Sequence, residues 1–399
     1  MPSIERRGAN SFRLTVEIGR GPDGKRKRKR KTITIDDPAL LKTKKKLQEY
    51  LEQEWYRFKT EVEAGAYIKP EKTTFKEFVD KHWWLKYARA RGGLAPATQI
   101  TYQEHLKTRI LPHFGHMLLD EIKTMHLVDF FSDLQGHNAR LDGKPGPLGD
   151  GTIRYIHRIL RNIFSRAVEW KFIAANPMDG VKRPPKPEEN IIVYTEEEMQ
   201  QIIDALYHEP ENWRLMILCT FLGGFRRGEL VALELDDLDF ENNTIRVDEN
   251  IPKKVSGKFL IGPPKNKKTR HVQMPAWFMR ELALYCREWK KHRLLIGDKW
   301  EGGDRKFLFH TGFGEPYHPN SVSAWWRRFT QKHGFRYVKL HGLRHTSATY
   351  LLQEGVQLES IQDRLGHVNK RSTEVYLHVT QKMVEQAAQK FDRFKRQVK

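Results

Sequence analysis

HGLRH, residues 341–345, sets two imidazoles and a guanidinium along one side of a helix. His341 and Arg344 are three residues apart and His341 and His345 four, the spacings that meet on a helical face. No acid follows until Glu354. An uncompensated set of cations calls for an anion from outside the chain. The i, i+4 histidine pair is also a zinc-helix spacing. Against that, the fixed charge of Arg344 between the two rings repels a metal, and the motif holds no Glu to act as base, so no metal is expected. His345 reads as a histidine packed or hydrogen-bonded in the core. For His341 and Arg344 a phosphate fits better, because a guanidinium matches two phosphate oxygens and an imidazole adds a third bond.

The whole composition points the same way. Lys and Arg number 71 against 50 Asp and Glu, a formal charge of +21 over 399 residues. Such an excess repels itself and implies a polyanionic partner, nucleic acid ahead of an anionic membrane surface. The membrane is the weaker choice. The longest apolar stretch, LMILCTFLGGF (215–225), is too short to span a bilayer and runs into Arg226 and Arg227. MPSIERRGANSF, at the N-terminus, has no apolar signal core, and Cys219 and Cys286 make no disulfide framework, so a reducing cytoplasm is expected. At 39% hydrophobic residues the chain is globular, and its length calls for two or three domains.

HGLRH belongs to a third block, which opens at about residue 191 with Thr195 and Glu198 as a capping box, continues through a buried helix at Leu215–Leu222, and offers three short strands, TIRVDE (244–249), TRHVQMP (269–275) and KFLFH (306–310). Before it, VKRPPKPEEN (181–190) is a stiff linker. A second block, 73–180, is helical: Thr74 and Glu77 form another capping box, and Thr98, Tyr102, Leu106 and Ile110 mark one helix. Ile153, Ile156, Leu160, Ile163, Ala167 and Trp170 mark a second, whose outer face carries Arg154, Arg158, Arg161 and Arg166. In the first block, 1–70, FRLTVEI (12–18) and KTITID (31–36) alternate around the turn GPDG, and Leu47, Leu51, Trp55, Phe58 and Val62 form one helix face. On that hairpin Lys25, Arg26, Lys27, Arg28, Lys29, Arg30 and Lys31 are consecutive, a charged ribbon suited to a DNA groove. The fold expected is α+β and mainly helical: a small sheet with one helix, a helical domain, and a mixed helical domain with a small antiparallel sheet.

Other partnerless cations recur in the third block. GGFRRGELVALELDDLDF (223–240) turns on glycines, presents Arg226 and restarts a helix in which Glu229 can orient that arginine or a nearby histidine. PKNKKTRHVQMP (264–275) brings Lys265, Lys267 and Lys268 to a turn, and DRLGHVNKRSTEVYLHV (363–379) places Tyr376 nine residues after His367. Taken in order, G-F-R-R-G-E-L, P-K-N-K-K-T-R, H-G-L-R-H and L-G-H with its distal Tyr resemble the tyrosine recombinases, the phage integrases. The likeness covers the whole third block, and the first two blocks resemble that family's arm-binding and core-binding domains. Gly342 stands where an acid is common, and Phe225 replaces a frequent Leu.

The resemblance implies a site-specific recombinase that cuts and rejoins DNA. Tyr376 attacks phosphorus to give a 3′-phosphotyrosine and a free 5′-hydroxyl. Arg226 and Arg344 neutralise the transition state, and Lys265, with Lys267 as the other choice, protonates the leaving oxygen. His341 takes or relays the tyrosine proton, His367 binds a phosphate oxygen and Glu229 supports the first arginine and His341. No cofactor and no Mg²⁺ are expected. The implied partners are double-stranded DNA at core-type and arm-type sites, a homotetramer on two duplexes, and accessory bending or directionality factors. The apolar stripe Val384, Ala387, Ala388, Phe391 and Phe394 docks on a neighbouring protomer or on its own domain. A type IB topoisomerase and a non-catalytic DNA-binding regulator are the rival readings.

Overall fold

Alternation in SFRLTVEIGR folds as strand β2 (Ser11–Arg20), between β1 (Ser3–Arg6) and β3 (Arg26–Thr34), in an antiparallel sheet of order β1-β2-β3. The structure, a computed structural model, describes residues 2–20, 26–63, 73–185, 192–265 and 268–366. It divides into two compact units, Met1–Glu188 and Glu189–Lys399, with the break inside the proline-rich stretch.

In the first unit Phe12, Leu14 and Val16 are buried as their alternation predicts, but Ile18 is 43% exposed. The ladder slips between Glu17 and Arg20, and a residue beside such a bulge loses its place on the face. A short turn of helix, α1 (Pro38–Lys42), leads into α2 (Lys44–Glu63), which lays Leu51, Trp55, Phe58 and Val62 on the sheet. Strand β1 escapes a reading of the sequence, since SIER offers a single apolar residue.

The helical part opens where Thr74 accepts from the Glu77 amide while Glu77 accepts from the Thr74 amide, the predicted capping box. From there α3 (Phe75–Glu77) widens into a π-type stretch, Phe78–Ala88. After it come α4 (Pro96–His105), a second such stretch at Leu106–Ile110, α5 (Leu111–Phe114), α6 (Thr124–Leu134) and α7 (Asp150–Glu169). The apolar stripe of α7 buries Ile153, Ile156, Leu160, Ile163 and Ala167. Trp83 stacks parallel to Tyr102 at 6.1 Å and donates to Asn162 of α7 at 2.9 Å, which ties the stretch after α3 to α4 and α7.

The second unit starts with α8 (Glu196–Leu206), capped by Thr195 with Glu198 as predicted, then α9 (Glu211–Gly223) and α10 (Arg227–Leu230). Short strands follow: β4 (Leu238–Asp239), β5 (Thr244–Val247), β6 (Lys254–Val255), β7 (Lys258–Phe259) and β8 (Arg270–Gln273). An antiparallel sheet has the order β4-β5-β8, while β6 and β7 pair as a hairpin inserted between β5 and β8 in sequence. Helices α11 (Ala276–Ile296), α12 (Pro319–Lys332), α13 (Leu340–Gln353) and α14 (Leu358–Leu365) complete it. KFLFH makes no ladder: Phe307 and His310 form isolated bridges, and the Leu308 amide bonds Leu233 in a loop pairing. The residues are apolar because they are buried between helices, which strand and core loop share. The whole is an α+β fold, mainly helical, and no helix among the described residues is long and apolar enough to cross a membrane.

Candidate active site

Buried α9 ends at Gly223, and Gly224 takes a left-handed φ of +64°. A Cβ on Gly224 would stand 2.4 Å from Leu365 Cδ2, so glycine is required on both counts. The turn sends Phe225 into the core and brings Arg226 to the start of α10. Three residues on, Glu229 is 1% exposed and accepts from the Arg226 amide at 3.0 Å and from its guanidinium at 2.7 Å.

Strand β8 supplies a second guanidinium to the same carboxylate. Arg270 donates from both terminal nitrogens to Glu229, at 2.7 and 3.2 Å. Burial alone raises the Glu229 pKa. The hydrogen bonds and charge of Arg270, followed by Arg226, overcome it and bring the pKa down to about 2.

HGLRH occupies the first turns of α13. Arg344, 1% exposed, donates to the carbonyl oxygens of Gly224 and Leu365. Arg226 also donates to Gly366 at 3.1 Å, and Arg270 to Arg364 at 3.0 Å. Three guanidiniums thus cap the successive carbonyls 364, 365 and 366 at the end of α14, where a helix leaves acceptors unsatisfied and its dipole is negative.

His341 lies edge-to-face with His345, ring centroids 4.8 Å apart. It is exposed, yet surrounding protein, then the charges of His345, Arg344 and Arg226, push its pKa down to about 4 against the pull of Glu229. Exposure and desolvation coexist because one side of the ring lies against His345 while another meets water. His341 is therefore neutral near pH 7 and able to accept a proton. Gly342 is tight: a Cβ there would meet Val338 Cγ1 at 2.3 Å, which accounts for the missing acid at this position.

The structure brings together Arg226, Glu229, His341 and Arg344. Lys265 is exposed in the turn ahead of β8 and makes no hydrogen bond or ion pair with that cluster among the described residues. His367, Tyr376, Lys267, Lys25 and the stripe Val384–Phe394 lie outside the described residues. Arg270 is the site residue that sequence reading misses. Its signal is parity: in TRHVQMP, Arg270 shares a strand face with buried Val272, and an arginine on an apolar face needs a buried acid.

In the first unit, Arg28 and Arg30 lie on the sheet face away from α2, and Arg28 pairs with Glu17. Lys29 and Lys31 stand opposite Val16 and Leu14, on the helix side, where Lys31 reaches Glu61 at 3.4 Å. Arg26 and Lys27 lie on β3 as well. On α7, Arg158 and Arg161 are exposed and join Arg166 and Arg183 around a 560 Å³ cleft. Arg161 bonds Asp179 at 2.9 Å, while half-buried Arg154 bonds the Pro184 carbonyl, so it has an internal use.

Two family models match the chain: the phage integrase family over residues 193–383, and the phage integrase N-terminal SAM-like domain over 74–135. A "Tyrosine recombinase XerC-like" protein of Caldanaerobacter subterraneus subsp. tengcongensis is 27% identical, covering 96% of each chain. "Tyrosine recombinase XerA" of Thermococcus onnurineus is 28% identical over 52% of this chain and 66% of its own. Among solved structures, the Tn1549 transposon integrase (residues 82–397) with circular intermediate DNA aligns at TM-score 0.62 and 20% identity, over 76% of this chain and 95% of its own. A lambda integrase dimer on a COC' core site aligns at TM-score 0.54 and 16% identity, over 94% and 93%. The protein is a site-specific recombinase by class. The chain belongs to the tyrosine recombinases, the phage integrase family.

Proposed function

We propose that the protein integrates and excises a mobile DNA element, cutting one strand at a time through a 3′-phosphotyrosine on Tyr376. What carries this reading is the convergence of Arg226 and Arg344 with neutral His341, because that set suits a phosphodiester in transit. In-line attack concentrates charge on the non-bridging oxygens, and two guanidiniums positioned beforehand stabilise it. A guanidinium has five N–H donors, so Arg226 holds Glu229 and Gly366 with donors left for phosphate. Arg344 meets the phosphate by exchanging the Leu365 carbonyl for it. His341 takes the phenolic proton, which at an ordinary pKa of about 10 does not leave unaided. Lys265, or Lys267, gives a proton to the 5′-oxygen, and His367 adds a phosphate bond. The ester stores the energy of the broken bond, so rejoining needs no ATP and no metal.

The partners in this reading are double-stranded core and arm sites, a homotetramer pairing two duplexes, accessory factors that set direction, and the bacterial nucleoid. Arg28 and Arg30 on the sheet, and Arg158 and Arg161 around the α7 cleft, face the DNA. The Tn1549 integrase with circular intermediate DNA supports a mobile-element role.

A nicked duplex carrying the attachment site, incubated with the protein in EDTA, tests this. Intact protein should trap a covalent adduct, and two differently labelled duplexes should exchange strands. Relaxation of supercoils without exchange would favour a topoisomerase, and tight binding with no adduct would favour a regulator.

A further inference from the structure

Arg270 performs three jobs with one guanidinium, and none of them needs DNA. It holds both oxygens of Glu229, its Nε donates to the Arg364 carbonyl at 3.0 Å, and its side chain lies against Gly366, where an added Cβ would come within 3.2 Å of it. Both of its terminal nitrogens are held by a charged, buried carboxylate, which a phosphate oxygen does not readily displace. Its neighbours at the end of α14 are different. Arg226 is 26% exposed along its side chain, and both it and Arg344 spend donors on carbonyls that a phosphate oxygen can replace.

We propose that Arg270 is a positioning residue for strand cleavage, fastening Glu229 and the end of α14 while Arg226 and Arg344 trade carbonyls for the scissile phosphate. This rests on reading those two arginines as the phosphate ligands. The exchange leaves carbonyls 365 and 366 without their guanidiniums, but 364 keeps its own. Glu229, held ionised by Arg270, keeps Arg226 aimed. Sequence joins the fastened end directly to His367. Charged and titratable groups facing Glu229 are Arg226 at the start of α10, Arg270 of β8 and, through space, His341 of α13.

Full-length Arg270→Gln, Arg270→Lys, Glu229→Gln and the double variant Glu229→Gln/Arg270→Gln are compared for melting, affinity for the nicked attachment-site duplex, and single-turnover adduct formation across pH. Displacement of a reacting group by about 1 Å costs on the order of a hundredfold in rate. Arg270→Gln should therefore bind DNA as wild type does and cleave about a hundredfold more slowly. Its rate should fall in acid at a pH where the wild type is still flat, because Glu229 then titrates higher. Arg270→Lys should recover part of the rate. The double variant should be no slower than Arg270→Gln, since both substitutions break one unit. If Arg270→Gln does not fold, the lysine variant and the uncharged double variant carry the comparison. A wild-type rate and pH profile in the folded variants, or losses that simply multiply, would overturn the proposal. An absence of adduct from the wild type would instead reject the phosphotyrosine reading beneath it.

Discussion

Glu229 carries two guanidiniums on one buried carboxylate, and neither side of that arrangement tolerates removal of the other. Glu229→Ala leaves Arg270 charged, enclosed and without its acid, a situation that costs about 3–5 kcal/mol. Chemical denaturation at pH 7 measures it, and a loss below about 1 kcal/mol would mean water already reaches the pair. The pH dependence has a defined sign. The folded pKa of about 2 lies below the ordinary 4.5, so the carboxylate's contribution is complete above 4.5 and disappears as pH falls toward 2. His341 acts in a higher window. Its folded pKa of about 4 against 6.5 means the folded protein binds fewer protons than the unfolded chain between those values, so stability falls as pH drops from 6.5 to 4. An NMR titration of His341 in the DNA-free protein should find its midpoint near 4, and a midpoint at the ordinary 6.5 would remove the basis for a neutral proton acceptor squeezed by cations.

Helix ends do much of the placing in this site, and they are unevenly legible. Both capping boxes, Thr74 with Glu77 and Thr195 with Glu198, are plain because a cap is a local pattern four residues long. HGLRH reads as a helical face for the same reason. The C-terminal capping of α14 by Arg226, Arg270 and Arg344 is not legible, because it joins residues 21 to 140 positions apart. KFLFH misleads because burial, not strand pairing, sets its composition, and β1 is hidden because its partner β2 supplies most of the apolar face. Gly342→Asp forces a side chain onto Val338 in the first turn of α13 and should cost about 1–3 kcal/mol by overpacking. Adding Val338→Ala should restore part of that stability in thermal melts. No cost in the single variant would mean that α13 shifts freely, and with it His341 and Arg344.

Charge and connectivity act over the whole molecule. The excess of +21 is readable from composition, while the division of cations between DNA-facing and internal use is not. Arg154 and Lys31 look like solvated cations in the sequence, yet both have a partner within the fold. Binding that neutralises about six to ten phosphates loses roughly 10³–10⁵ in affinity between about 50 and 200 mM salt. Fluorescence anisotropy with attachment-site DNA should show a fall of that order, and a flat salt response would contradict a partner chosen by charge. The proposed reaction joins one phenolic oxygen to the cut strand. Digesting the trapped adduct with protease and nuclease and sequencing the nucleotide-bearing peptide by mass spectrometry tests it most directly. The expected products are a 3′-phosphate on the peptide containing Tyr376 and a free 5′-hydroxyl on the released strand, with no adduct from Tyr376→Phe. A nucleotide on any other residue, or an adduct that survives the phenylalanine substitution, would contradict it.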